Sequence, residues 1–317
     1  MAKSTFIVRP ELTAIAVAYS NPKGIADQVC PRTPVLTKEF TYQKYALGDA
    51  FSAPETKVSR KGTPNQVEFA STEVTDSVDD HALDAPVTND DIDQWEKAQA
   101  AGQTVAPSPL IYAASMSAEL VDLKREQRCA NLIFNANSYA AANKVVLSGS
   151  AQWSDPASDP QAAIGDALDT MVMRPNVGVF GRIAWSKTSR NIELCKAIYG
   201  NGTTKGQITR EAFCELFELD ELLVGEGWVN TAAKGQPPVL VRLWGRHAAF
   251  INRNKKANTK QGVTFAMTAQ YGGRIGGTIH DPDIGMRGGE RVRTGESVKE
   301  LVTATDLGYF FQNVVAA

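Results

Sequence analysis

The spacing of apolar and polar positions changes several times along this chain, and the changes mark its parts. Residues 1–37 carry Pro10, Pro22, Pro31 and Pro34, and apart from a short apolar stretch at 12–19 no helical period survives between them. Proline lacks the amide that a helix or a strand ladder needs, so this part reads as an extended arm. From residue 51 to 86 the pattern alternates instead. Val58, Val67, Phe69 and Val74 are separated by polar residues, with Gly62 and Pro64 between two runs. Period-two alternation around turn residues predicts a β-hairpin. Such a hairpin has little to bury, and an isolated one is marginal in water, so it must lean on another surface.

The period then becomes helical. "DDIDQWEKAQAAG" predicts a short helix, and Ser108 with Pro109 predicts the start of a long one, as N-cap and first helical residue. Ala113, Met116, Leu120, Leu123, Gln127, Ala130, Phe134 and Asn137 recur at spacings of three and four. They predict one apolar stripe opposite Glu119, Asp122, Arg125, Glu126 and Arg128. No Gly or Pro interrupts it for about 30 residues, roughly 45 Å of helix. A coiled coil would share that length, but Gln127 and Asn137 fall in the stripe and only one stretch carries the repeat.

Downstream, helix and strand alternate. Asp159 and Pro160 open a helix, "NVGVFGRIAW" reads as a strand, and a helix after it closes at Gly200. "TREAFCELFEL" is helical and "ELLVGEGWVN" extended; beyond Pro238 the chain is strand-rich to its end. Gly272, Gly273, Gly276 and Gly277 are expected in turns between strands. The fold class is α+β.

Composition sharpens this picture in two places. With 43% hydrophobic and 21% charged residues, the 317-residue chain has globular proportions and length for more than one compact unit. No apolar run approaches the roughly 18 residues of a membrane span, and the first twenty lack a signal-peptide core, so the expectation is a chain made in a cytoplasm with no membrane partner. The net charge of −2 hides a division: residues 51–94 hold ten acids against three bases, whereas residues 241–274 hold seven bases and no acid. Two such segments can meet within or between subunits.

Candidate chemistry is sparse. No GxSxG elbow, phosphate loop or dinucleotide fingerprint is present, and the four cysteines form no CxxC pair, so buried thiols are expected. His81 lies among Asp79, Asp80 and Asp84, and His280 beside Asp281 and Asp283. Acids near a single histidine more often build loops and caps than metal sites. No cofactor and no catalytic residue is expected.

The order of parts carries more than any motif. "LKREQRCANLIFNANSYAAANKVVLSGSAQWSDPASDP", "MVMRPNVGVFGRIAWSKTSRN", "LFELDELLVGEGWVN" and "LVRLWGRHAAF" follow one another as do the long-helix exit, the Arg-Pro-Asn entry, the Leu-Val-Gly strand and the Trp-Gly strand of a known family. From about residue 36 to its end the chain resembles the major capsid proteins of tailed bacteriophages, the Hong Kong 97-type fold. The resemblance implies an N-terminal arm (1–37), an extended loop region (38–104), a spine helix and the start of a peripheral domain (105–160), an axial domain (161–234), and strands completing both domains (235–317).

It also implies a function: a structural protein that assembles into pentamers and hexamers of an icosahedral head around double-stranded DNA. The extended loop would lie over a neighbouring subunit, with Lys57, Arg60, Lys61, Glu68 and Glu73 at the contact. The basic stretch Arg242, Arg246, Arg253, Lys255, Lys256 and Lys260 would face DNA or a neighbour. Implied partners are further copies of the chain, a separate scaffolding protein, a portal, a decoration protein and nonspecifically bound DNA; the implied location is the virion capsid, after assembly in the host cytoplasm. Two departures stand out. The long charged scaffolding segment of some members is missing before the arm, and no local motif marks a partner for Lys57 or Lys61 in a covalent cross-link, so a noncovalent lattice is expected. An encapsulin-like shell around a cargo enzyme is the alternative that shares the fold.

Overall fold

The computed structural model describes residues 7–8, 24–45, 51, 53–64, 66, 71–102, 107–233 and 235–316. The arm contributes β1 (Ile7–Val8), one helical turn α1 (Ala26–Val29) and β2 (Arg32–Val35); its apolar stretch at 12–19 lies outside the described residues. β3 (Glu39–Tyr45) pairs antiparallel with β4 (Ser71–Ser77), with Tyr42 opposite Val74. β5 (Asp79–Thr88) runs into α2 (Asn89–Ala100), where the Thr88 hydroxyl accepts from the Asp91 amide at 3.2 Å and caps the first turn. The spine follows as α3 (Pro109–Ile133).

The remainder alternates β6 (Lys144–Val146), α4 (Pro160–Thr170), β7 (Val177–Gly181), α5 (Arg182–Thr188), α6 (Ile192–Tyr199), α7 (Arg210–Phe217), β8 (Glu221–Gly225), β9 (Trp228–Asn230), β10 (Leu240–Arg242), β11 (Ala248–Ile251), β12 (Ala266–Asp281), β13 (Gly289–Val302) and β14 (Gly308–Gln312). Asp159 accepts from the Ala162 amide and Gly200 ends α6 at φ +97°, as expected, and Thr209 accepts from the Ala212 amide at the start of α7. Ser108 stands at the N-cap of α3 without a side-chain cap bond, while Pro109 takes the first helical position.

Two sheets carry the molecule. One is built on the long antiparallel ribbon β12–β13, with β5 on the outer edge of β13 and β1 and β2 on β12, β2 in parallel. The spine helix packs across β13 and β5. The other has the order β6-β14-β11-β7-β8 and is buried on both faces. Alternate residues divide cleanly: Phe180, Phe250, Phe311 and Val224 enter one core with Trp153, Trp185 and Phe213, while Val179, Ala249, Phe310 and Leu223 enter the other with Ile133, Tyr139 and Trp244. That is the period of a strand covered by layers above and below. Gly225 has no room for a side chain, because a Cβ there would overlap the Trp244 ring.

Three expectations change. The strand opposite β4 is β3, not the run at 53–60; Val67 and Phe69 of the expected hairpin lie outside the described residues. The buried face of α3 is Ala113, Ala114, Ser117, Ala118, Val121, Cys129, Ala130 and Ile133, together with Arg125 and Glu126, while Met116 and Leu120 are exposed. Small residues win because a helix lying flat on a ribbon approaches it closely, which leaves the large apolar side chains at its flank. The glycines at 272–277 are not turns between strands. They lie inside β12, where the register shifts between Tyr271 and Ile275 and Gly272 takes φ +65°.

Candidate assembly surfaces

The β3–β4 ribbon is anchored at its Phe40–Val78 end, and the Gln43 amide donates to the Thr259 carbonyl at 3.1 Å. Phe40 and Tyr42 are buried with Val78, Met267, Ala269 and Leu301 against the β12–β13 ribbon. Beyond this root, residues 53–64 are exposed throughout, including Val58. Their order is local: the Gly62 amide donates to the Ser59 carbonyl at 2.9 Å and the Lys57 amide to Glu55 Oε1 at 2.8 Å. Lys57, Arg60 and Lys61 all face solvent, and Glu73 lies exposed on β4. Glu68 falls outside the described residues. The tip thus offers three bases, one acid and an unburied valine.

A groove of about 740 Å³ opens between β5, α2 and the first half of α3, lined by Leu83, Val87, Trp95, Tyr112, Met116 and Leu120 among others. Tyr112 is 61% exposed and Leu120 51%, the large side chains left at the flank of the spine. The α2 wall contributes Asp91, Gln94 and Trp95 to the lining, and Asp84 lies beside them on β5. An apolar floor with the Asp91 carboxylate at its edge is a surface that a partly apolar segment with a base would fit.

Beneath the spine lies a joint of paired charges. Asp27 receives Arg32 at 2.7 Å and Arg125 at 2.6 Å; Glu296 receives Arg32 at 2.7 Å and Arg274 at 3.3 Å. Arg274 also grips Asp122, and Arg128 binds Glu300 through two nitrogens at 2.9 and 3.0 Å. Burial would raise the Glu296 carboxyl, but Arg32, Arg274 and Arg125 outweigh it and hold it below its ordinary value. Asp27 behaves in the same way: burial is opposed and overcome by Arg125 and Arg32. One residue further along α3, the buried Glu126 carboxylate accepts the Ile25 and Ala26 amides at 2.9 and 2.8 Å and Trp244 Nε1 at 2.6 Å. It caps α1 and ties arm, spine and second sheet together.

The basic stretch is divided by the fold. Arg253 is buried, with Glu221 at 2.6 Å and the Gln28 carbonyl at 2.5 Å. Arg242 stacks on Trp228, 3.8 Å from the ring centroid, and donates to the Glu226 carbonyl. Arg246 is half-buried, and Lys255, Lys256 and Lys260 are exposed on the loop after β11. The acids of the 51–94 segment meet other bases: Asp79 pairs with Lys299, Asp80 with Lys38, Asp84 with Arg293, and Asp90 with Arg287. The Arg293 hydrogen bond holds the Asp84 carboxyl down. The aspartates around His81 are therefore spent on cations of the same subunit, and among the described residues no group of three potential ligands could hold a metal ion.

No protein-family model matches this chain. It is 50% identical over 320 residues, and over the whole of both chains, to the major capsid protein of Pseudomonas phage JBD67. This chain belongs to the phage major capsid proteins. The capsid protein is also 26% identical, over 97% of both chains, to the major capsid protein of Burkholderia phage BcepMu. In fold it matches a phage-related protein of Bordetella bronchiseptica at a TM-score of 0.73 and 20% identity, over 99% of this chain and 100% of the other. The α+β arrangement of arm, ribbon, spine and two sheets is the Hong Kong 97-type fold that the order of sequence motifs implied. Sequence reasoning missed the groove, Glu126 and the joint. The signal it passed over was the run Tyr112, Met116, Leu120 beside small residues one position on.

Proposed function

We propose that this structural protein closes an icosahedral phage head, as pentamers and hexamers around double-stranded DNA, by seating residues 51–64 of each copy in the groove of a neighbouring copy. One observation supports the reading: among the described residues, the same chain bears an exposed basic tip and an apolar groove edged by Asp91. The cluster of Lys57, Arg60 and Lys61 meets Asp91 and sets register, and Val58 covers the exposed Tyr112–Leu120 flank. A single such contact is small against the roughly 800 Å² per partner of a stable interface, but a closed lattice repeats it many times. Lys255, Lys256 and Lys260 supply sequence-independent contacts to packaged DNA, and Arg253 does not, being held inside. Scaffolding, portal and decoration proteins are partners of the same reading.

The fold would equally suit an encapsulin-like shell around a cargo enzyme. The full-length relative at 50% identity, a phage major capsid protein, favours the head. A charge swap tests the seating. Lys57→Glu with Arg60→Glu and Lys61→Glu should abolish fast-sedimenting particles, and adding Asp91→Lys with Gln94→Lys, both at groove-lining positions, should restore them. Particles that persist in the first variant, or a swap that restores nothing, would refute the groove as the tip's seat.

A further inference from the structure

Cys30 and Cys129 stand 99 positions apart in sequence, yet their sulfurs lie 3.1 Å from each other. Cys30 follows the single turn of α1 at the root of the arm, and Cys129 sits one turn before the end of the spine helix. Both are fully buried, among Ile25, Val29, Ile133 and Tyr139. The assembly surfaces make no use of either thiol. Cys195 and Cys214 lie in the other core, so the pairing is specific to the arm–spine contact.

We propose that Cys30 and Cys129 are an oxidisable pair that forms a disulfide bond, locking the root of the arm to the spine helix when the protein meets a small-molecule disulfide oxidant. A bond length near 2.05 Å requires the two sulfurs to approach by about 1 Å. The step balances. One sulfur, as thiolate, attacks the small disulfide and releases its first thiol; the second then attacks the mixed disulfide and releases the other. The pair loses two protons and two electrons, and the oxidant leaves as two thiols.

The pair is also protected. Contact with Cys30 and burial hold the Cys129 thiol well above its ordinary value, so little thiolate exists at neutral pH and no oxidant reaches it in the closed structure. Oxidation must therefore follow local opening of residues 24–35, which Glu126 and the β2–β12 pairing restrain. The lock is slow to form in a reducing cytoplasm and durable once formed. It closes a loop of about 100 residues, so it restricts the unfolded chain more than a short-range bridge would.

The test uses the full chain as purified, incubated with oxidised glutathione well below its melting temperature, then alkylated, digested and read by mass spectrometry. The expected product is a Cys30–Cys129 linked peptide, with Cys195 and Cys214 recovered alkylated and a melting midpoint raised by several degrees that reductant reverses. Because Cys30→Ser could weaken the arm contact by itself, Cys195→Ser with Cys214→Ser serves as the second variant. It should lose both remaining free thiols on oxidation without forming dimers. Recovery of Cys30 and Cys129 as alkylated thiols, or a link that forms only in denaturant, would overturn the proposal.

Discussion

The joint beneath the spine helix and the tip of the β3–β4 excursion are both rich in charge, and they dispose of it in opposite ways. At the joint, Arg32, Arg125, Arg128 and Arg274 each face Asp27, Asp122, Glu296 or Glu300 of the same subunit. At the tip, Lys57, Arg60 and Lys61 are exposed to solvent. A charge taken out of water needs its partner at once, because desolvation otherwise costs several kcal/mol. A charge left in water needs none, and is free to select a partner on another copy. The joint therefore sets what one subunit is, and on the proposed seating the tip sets what it can join.

The comparison breaks most sharply at Glu126. Glu126→Ala leaves two backbone amides and an indole N–H without their buried acceptor, at about 1–3 kcal/mol for each donor. We expect a loss of about 3–5 kcal/mol in urea unfolding, with arm residues 25–30 gaining hydrogen exchange before the rest. A change below about 1 kcal/mol would mean that α1 is held by its apolar contacts alone.

Acid is the next lever. Asp27 and Glu296 titrate in the folded protein below their ordinary values, so their contribution is complete at neutral pH, above the unfolded values near 4. It is lost as pH falls through the lower folded values. Urea midpoints measured from pH 7 downward should therefore hold until about pH 4 and then drop. Asp27→Asn should flatten that acid limb. An equal slope in the variant would assign acid sensitivity to other carboxylates.

How much of this was legible in the sequence follows the same division. Local chemistry was readable: Asp159 and Gly200 act through neighbours a few residues away, and the strand at β7 and the strand-rich end of the chain show in their apolar, β-branched and aromatic runs. The fold family was readable because the order of several such pieces survived. The face of α3 was not, since Arg125 and Glu126 look like solvent residues until Asp27, Ile25, Thr268 and Trp244 arrive from distant segments. The partner of β4 was missed for a related reason. A nearby alternating run offered a shorter loop, but Phe40 and Tyr42 had the apolar surface to anchor β3 on the β12–β13 ribbon.

The smallest effect on the subunit should come from the tip, and it is the most informative. Removing residues 53–64 deletes no buried side chain and leaves β3, β4 and their apolar root intact. Urea stability should therefore stay within about 0.5 kcal/mol of the full chain, as expected for changes away from packed features. Leu120→Ser at the groove should be equally mild, because that side chain is already half in water. In sedimentation velocity both variants should remain subunits or small oligomers where the full chain forms shells. The full chain's assembly should weaken with added salt, since exposed charge pairs are screened beyond about 10 Å at 0.1 M. A tip deletion that unfolds the subunit would place residues 53–64 in its own core. One that folds and still closes shells would assign the lattice to contacts elsewhere, such as the exposed β9–β10 ribbon with Trp228 and Leu240.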